Sequence, residues 1–322
     1  MKKALITGIG GQDGSILAEL LLKKGYEVYG IIKREAIENP NLKLKNIASI
    51  VNDVELIPMS VTDPMAVYKA IKKIHPDEIY HLAASSFVSY EFEDEVAMMN
   101  SNFNSTYYLL SSILEINKEC KFFFAGSSEM FGEPFESPQN ENSKFNPKSM
   151  YGIAKVSSYY LLKNFRDKKG LYTCTGIMYN HESPRRKSEF VTKKIIETAV
   201  RIKLGKAKEL VLGNLDAVRD WGYAPDYMNA ALLIMSQPQP DDYIIATGNL
   251  HSVKQFAETA FKLVDLNVDD YLKINTKYFR ASENYPLCGN PEKLKDLGWS
   301  TSKSFTEIIQ LMIDEELTNH TN

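Results

Sequence analysis

Cysteine is scarce in this chain of 322 residues: Cys120, Cys174 and Cys288 are its only three. Thiols so few and so scattered make no disulfide framework, which points to a reducing, cytoplasmic setting. None stands in a C-x-x-C pair, and the five histidines show no metal-ligand spacing beside them, so no metal site is expected. A surplus of one sign of charge is also missing. Lys and Arg number 38 against 41 Asp and Glu, a net charge of -3. That balance argues against a nucleic-acid binder resting on a basic surplus, while leaving room for a local basic pocket for phosphate. Long apolar runs are absent too. Met1-Lys2-Lys3 precedes Ala4-Leu5-Ile6 as in a signal peptide, but the run breaks at once into Gly8-Ile9-Gly10-Gly11. No later stretch is long and apolar enough to span a bilayer, so a soluble chain with no membrane partner is expected.

What is present is a 44% hydrophobic content arranged in alternating short elements. A chain of this length can bury a large core, as one large or two moderate domains. Ala4–Thr7 reads as a buried strand and Ser15–Lys24 as a helix with Leu17, Leu20, Leu21 and Leu22 on its apolar side. Strands follow at Glu27–Ile32, Val54–Pro58, Glu78–Leu82, Lys121–Ala125 and Thr173–Met178, with helices at Pro64–Ile74, Val96–Asn117 and Tyr151–Arg166. This alternation predicts a Rossmann-type α/β fold, a doubly wound parallel sheet with helices on both faces. Beyond Tyr179 it becomes irregular. The expectation is a dinucleotide-binding domain over residues 1–178, a smaller C-terminal substrate lobe over 179–322, and one excursion, Tyr227–Ala246, returning to the sheet.

The first strand runs into Gly8-x-x-Gly11-x-x-Gly14. Glycine there permits a tight turn and lets backbone N–H groups approach a pyrophosphate at the positive end of the following helix. An NAD site usually places Asp or Glu at the end of the second strand. Here that strand ends Ile31-Ile32-Lys33-Arg34, with no carboxylate before Glu35. The cations favour the 2′-phosphate of NADP, with Arg34 as its contact, and Glu35 keeps NAD open. Asp63 either meets the adenine amino group or caps the helix that begins at Pro64. Farther on, Tyr151-x-x-x-Lys155 opens a helix and Ser127 ends a strand. An i, i+4 pair shares one helical face, so the ammonium can approach the phenol and favour its ionised form.

The ordered set of glycine turn, strand-end serine and Tyr-x-x-x-Lys resembles the extended short-chain dehydrogenases. The chain is most similar to their GDP-mannose 4,6-dehydratase branch. The likeness rests on Thr7–Ser15, His81-Leu82-Ala83-Ala84, Ser128–Gly132, Asn180–Arg186, Leu212–Ala217, Arg219-Asp220-Trp221-Gly222, Tyr278-Phe279-Arg280 and Leu297-Gly298-Trp299. It implies that a GDP-linked sugar is oxidised at C4, loses water across C5 and C6, and takes the hydride back at C6. Tyr151 is then the base for the C4 hydroxyl, Lys155 its electrostatic partner, and Ser127 a hydrogen bond to the reacting oxygen. Glu129, where epimerase relatives carry a small neutral residue, takes the C5 proton and then helps the C6 hydroxyl leave. The resemblance gives the cofactor Gln12, Asp13, Leu82, Ala83, Ala84, His181 and Arg186 besides the glycine turn. It gives the GDP-sugar Ser86, Asn180, Val191, Lys193, Leu212, Gly213, Asn214, Arg219, Arg280 and Glu283. Asn102 either fixes a water or backbone near the site or is a helix-face asparagine.

Some positions depart from the branch: Met150 stands for a proline, Gly126 for a serine, Ala97 for a tyrosine, and Ala281–Tyr285 is unusual. They fall near the expected hexose pocket and leave mannose, N-acetylglucosamine and heptose all open. A nucleotide-sugar epimerase or 4-keto reductase is the nearest rival, and a cofactor-binding regulator without turnover is the rival of another class. The resemblance also implies a homodimer or homotetramer, with Lys33 and Arg34 near a subunit contact.

Overall fold

A computed structural model describes residues 1–38, 44–84, 92–278 and 286–321. Seven strands form one all-parallel sheet: β1 (Lys3–Thr7), β2 (Glu27–Ile32), β3 (Val54–Pro58), β4 (Glu78–His81), β5 (Lys121–Ser127), β6 (Thr173–Met178) and β10 (Asp242–Ile245). Their order is β10-β6-β5-β4-β1-β2-β3, the doubly wound arrangement that places a crevice beside β1. Three consecutive phenylalanines can stand in β5 because a parallel strand is covered on both faces. Phe122 and Phe124 enter one core with Leu5, Val67 and Leu110, while Phe123 enters the other with Ile6, Leu17 and Tyr227.

Helix α1 (Gln12–Lys23) and the later helix α8 (Ala224–Met235) pack on one face of the sheet. On the other lie α3 (Pro64–Ile74), α5 (Ser105–Ile116) and α6 (Met150–Lys169). Leu17 and Leu21 are fully buried in α1, and each such side chain contributes about 1.5–3 kcal/mol. After Tyr227 the chain runs through α8 into β10, which pairs in parallel with β6. Arg166 grips Asp242 of that edge strand with both terminal nitrogens, at 3.1 and 2.7 Å.

The long helix expected over Val96–Asn117 is interrupted. It divides into α4 (Phe92–Met99), a π-helical turn over Asn100–Asn104, and α5. The sequence Asn100-Ser101-Asn102-Phe103-Asn104-Ser105-Thr106 is rich in side chains that compete for backbone groups. Ser105 Oγ donates to the Ser101 carbonyl at 2.6 Å, and Thr106 Oγ1 and Ser158 Oγ both donate to the Asn102 carbonyl.

A second, smaller core gathers α7 (Val191–Lys203), α9 (Val253–Leu263) and α11 (Phe305–Thr321) around Ile196, Leu212, Trp221, Phe256 and Met312. Beside it, β7 (Asn180–Glu182), β9 (Val218–Tyr223) and β11 (Leu250–Ser252) make a three-stranded sheet, and β8 (Leu210–Leu212) pairs with β12 (Leu272–Ile274). Asp220 joins the parts. Its buried carboxylate accepts from Thr247 N and Gly248 N at 2.9 Å, Thr247 Oγ1 at 2.6 Å and Gly289 N at 3.4 Å. Among the described residues no helix is long and apolar enough to cross a membrane.

Candidate active site

The crevice beside β1 opens on the glycine turn. Gly8 has φ +78°, and a Cβ on Gly14 would stand 2.3 Å from the Gly8 carbonyl, so the helix can begin this close to the strand only with glycine there. Gly11 is the N-cap and makes no side-chain cap, which leaves the first turn of α1 to receive an anion. The helix thus starts at Gln12, three residues ahead of the sequence reading, and takes in Asp13 and Gly14. A cradle that one methyl group would fill fits a dinucleotide pyrophosphate.

Behind the turn runs a buried chain of hydrogen bonds. Ala83 N donates to Thr7 Oγ1 at 3.0 Å, and Thr7 Oγ1 lies 2.8 Å from His81 Nδ1. The far ring nitrogen lies 3.2 Å from Ser105 Oγ, whose proton goes to Ser101. The donors run one way along this chain, so His81 is neutral with its proton on Nε2. Burial agrees, pushing its pKa down to about 3. The same chain ties the ends of β1 and β4 to the π-helical turn.

The catalytic candidates converge from three elements. Ser127 ends β5, and its hydroxyl accepts from Glu129 N at 3.2 Å, capping the 3-10 turn Ser128–Met130. Ser149 caps α6 through Gly152 N at 3.1 Å, so Tyr151 stands in the first turn of that helix. Gly152 has no side chain to hold the two apart; a Cβ there would lie 2.5 Å from the Glu129 carbonyl. Burial pushes the Tyr151 phenol up to about 12; a hydrogen bond from Ser127 and the nearby Arg186 oppose it, and Glu129 and Asp13 reinforce it. One turn on, Lys155 is 2% exposed and donates to the Ala125 carbonyl at 2.7 Å. Its Nζ lies 5.6 Å from the Tyr151 ring centroid. Burial alone brings that ammonium down to about 7.

The other predicted cofactor residues are placed as follows. His181 Nε2 meets Asp13 Oδ2 at 3.0 Å. Gln12 donates to the His181 carbonyl at 3.1 Å and accepts from Ser183 Oγ at 2.8 Å. Arg186 stacks on Phe190 with its guanidinium 3.6 Å from the ring centroid, its Nε 3.1 Å from Glu182 Oε2. Leu82, Ala83 and Asn180 are half-buried and Ala84 exposed at the crevice. Lys33, Arg34 and Glu35 are exposed after β2. Asp63 caps α3, accepting from Met65 N and Ala66 N at 3.0 Å.

The second lobe is less uniform. Val191 is exposed at the start of α7, and Gly213 and Asn214 are half-buried, with Asn214 Oδ1 accepting from Asp216 N. Arg219 donates to the Val218 carbonyl at 2.7 Å. Leu212 points into the second core, and the Lys193 ammonium is buried against Glu316 of α11 at 2.7 Å. Ser86, Arg280 and Glu283 lie outside the described residues. The sequence reading missed Arg185, which locks the loop after β7 to α1 through Ser15 Oγ at 3.0 Å and Glu19 Oε1 at 2.5 Å. It gave Asp220 no role either, naming it only within Arg219-Asp220-Trp221-Gly222.

The sequence profile of the GDP-mannose 4,6 dehydratase family matches residues 5–312, nearly the whole length. The chain belongs to the GDP-mannose 4,6-dehydratase family. It is thus an NAD(P)-dependent lyase of the extended short-chain dehydrogenase type. It is 40% identical over 326 residues to GDP-mannose 4,6 dehydratase 1 of Arabidopsis thaliana, covering 98% of this chain and 90% of that one. To the GDP-mannose 4,6-dehydratase of Vibrio cholerae it is 37% identical, over 98% and 94%. The family fold also matches solved structures of low identity. A UDP-glucose 4-epimerase of Thermotoga maritima superposes with TM-score 0.86 at 23% identity, covering 99% of each chain. The dTDP-glucose 4,6-dehydratase of Bacillus anthracis gives TM-score 0.86 at 18%, over 100% and 98%.

Proposed function

We propose that this member of the family is an NADP-dependent GDP-sugar 4,6-dehydratase, acting on GDP-mannose or a GDP-hexose of that type. The observation that carries the reading is Glu129, set by a capped turn between Ser127 and the first turn of the Tyr151 helix. An epimerase or reductase has no task for a carboxylate at that place. Bound NADP+ supplies the hydride acceptor for C4 and, once reduced, the donor for C6. The protein's own groups move the protons. Tyr151 takes the C4 hydroxyl proton, with the Lys155 ammonium lowering the cost of the phenolate, and Ser127 holds the same oxygen. The resulting ketone acidifies the C5 hydrogen, which Glu129 removes and then passes to the departing C6 hydroxyl, and the proton held by Tyr151 is returned to C5 as C6 is reduced, which restores the phenolate.

Several parts of the site support this reading. Residues Gly8, Gly11, Gln12, Asp13, Gly14, Leu82, Ala83, Ala84, Tyr151, Lys155, His181 and Arg186 form the cofactor side. Exposed Lys33 and Arg34, with no carboxylate at the end of β2, favour the 2′-phosphate of NADP over the bare ribose of NAD. The sugar nucleotide is assigned to Asn180, Val191, Gly213, Asn214 and Arg219, with Ser127 and Glu129 at the hexose, and the family resemblance assigns it Ser86, Lys193, Leu212, Arg280 and Glu283 as well. On this reading residues 1–178 with 227–246 bind the dinucleotide and the remainder of 179–322 binds the sugar. A cytoplasmic homodimer or homotetramer completes the proposal, and light scattering that returns a monomer removes that part.

Mass spectrometry tests the whole. The enzyme is incubated separately with GDP-mannose, GDP-N-acetylglucosamine and GDP-heptose without added reductant. Loss of one water from one of them identifies a dehydratase and its sugar. Products of unchanged mass but altered stereochemistry would make the chain an epimerase instead.

A further inference from the structure

Both ring nitrogens of His181 face groups that can only accept. Nδ1 lies 2.7 Å from the Tyr179 carbonyl and Nε2 lies 3.0 Å from Asp13 Oδ2. A neutral imidazole has one N–H and would leave one of these contacts as two opposed lone pairs. His181 is 8% exposed and its ring stacks on Tyr227 at 4.5 Å between centroids, and contacts of 2.7 and 3.0 Å leave no space for a water between either ring nitrogen and its partner. The geometry therefore requires an imidazolium. Its partner, Asp13, is an anion in the first turn of α1, where the pyrophosphate of a dinucleotide is to be received.

We infer that His181 is a positioning residue for the cofactor: as an imidazolium it neutralises Asp13 and joins the glycine turn to the small sheet that carries Asn180 and Arg219. This deepens the proposed function and rests on its dinucleotide site. Uncompensated, Asp13 would repel the pyrophosphate from the helix end that attracts it. The join is mechanical as well as electrostatic, since Gln12 bridges the His181 carbonyl and Ser183. His181 itself pairs in register with Gly222, three residues beyond Arg219. The charged and titratable groups facing the ring are Asp13 from α1, Glu182 beside it on β7, Arg186 from the following loop, and Tyr227 from α8. Burial opposes the ring's charge and Asp13 outweighs it, so the pKa is raised.

NADPH binding, followed by its fluorescence, provides the test and needs no sugar. Replacing His181→Gln keeps a donor toward Asp13 but removes the charge. NADPH affinity should fall about tenfold or more at pH 7.5, and adding Asp13→Asn should recover most of it. Equal weakness of the single and double variants, with melting temperatures unchanged, overturns the inference, because a merely structural role gives no rescue. Wild-type affinity should also decline on the alkaline side, and this decline should vanish in His181→Gln. Its persistence there would assign it to Lys155 and count against His181. If wild-type enzyme binds no NADPH, the dinucleotide reading fails, while the ring's charge is still read from its NMR titration. A neutral ring at pH 7 would refute the imidazolium whatever the cofactor does.

Discussion

At the scale of single residues, the protein uses the same side chain in two opposite charge states. His81 is neutral because burial is unopposed, whereas His181 is charged because Asp13 offsets burial. Their linkage to stability has opposite signs. For His81, with its pKa depressed to about 3, stability is present above the ordinary histidine value and lost as pH falls from about 6.5 toward 3. For His181, with its pKa raised, stability is full below the ordinary value and lost as pH rises through the elevated one. Urea melts from pH 4 to 9 should show both limbs, each with a slope of up to about 1.4 kcal/mol per pH unit. His81→Asn should flatten only the acid limb and His181→Gln only the alkaline one. In the chemistry itself, Glu129→Gln should lower dehydration about 10²–10⁴-fold while leaving NADPH affinity unchanged. Full turnover by that variant would remove Glu129 from the reaction.

Among elements, α1 shows how far the sequence could be read and where it stopped. Gly8, Gly11 and Gly14 announced the turn, yet Gly14 inside the helix disguised its true start at Gln12. Glycine is a poor helix former, and only packing against the Gly8 carbonyl makes it the right residue. Gly14→Ala should therefore destabilise the protein by about 1–3 kcal/mol through overpacking and abolish NADPH binding, measured by thermal melts and titration. An alanine variant with normal affinity would show that the turn has room. Strands β2, β3 and β6 and helix α3 were legible to the residue, β2, β3 and α3 because a glycine, a proline or a cap marks one end of each, and β6 because no charged residue breaks its run. The π-helical turn was not: a helix and a bulged helix share one apolar periodicity, and the difference lies in hydrogen bonds from Ser105, Thr106 and Ser158. In the site, Ser127, Tyr151 and Lys155 were legible as an ordered motif. The pairing of Lys193 with Glu316 was not, since 123 residues separate them.

Across the whole molecule, two cores must be held in register, and Asp220 is one of the ties that do so. One carboxylate on β9 collects donors from Thr247 and Gly248 after β10 and from Gly289. Hydrogen bonds to a charged group are worth about 1.5–3 kcal/mol each. Asp220→Ala should thus lower stability and raise KM for the sugar nucleotide severalfold, with NADPH affinity largely kept. Equal loss of both affinities would mean that the tie also shapes the cofactor side.

The passage from the large sheet to the small one is nearly seamless. β6 ends at Met178 and β7 begins at Asn180, so only Tyr179 belongs to neither. That residue is pinned by its N–H on the Ile245 carbonyl and its hydroxyl on Gln139. A strand advances about 3.3 Å per residue and turns its side chains over at every step. The span between the two sheets is therefore measured out by covalent backbone, as on a ruler with a single unmarked division. A residue inserted at this point would lengthen the path by one such step and turn over every side chain of β7, Asn180 among them.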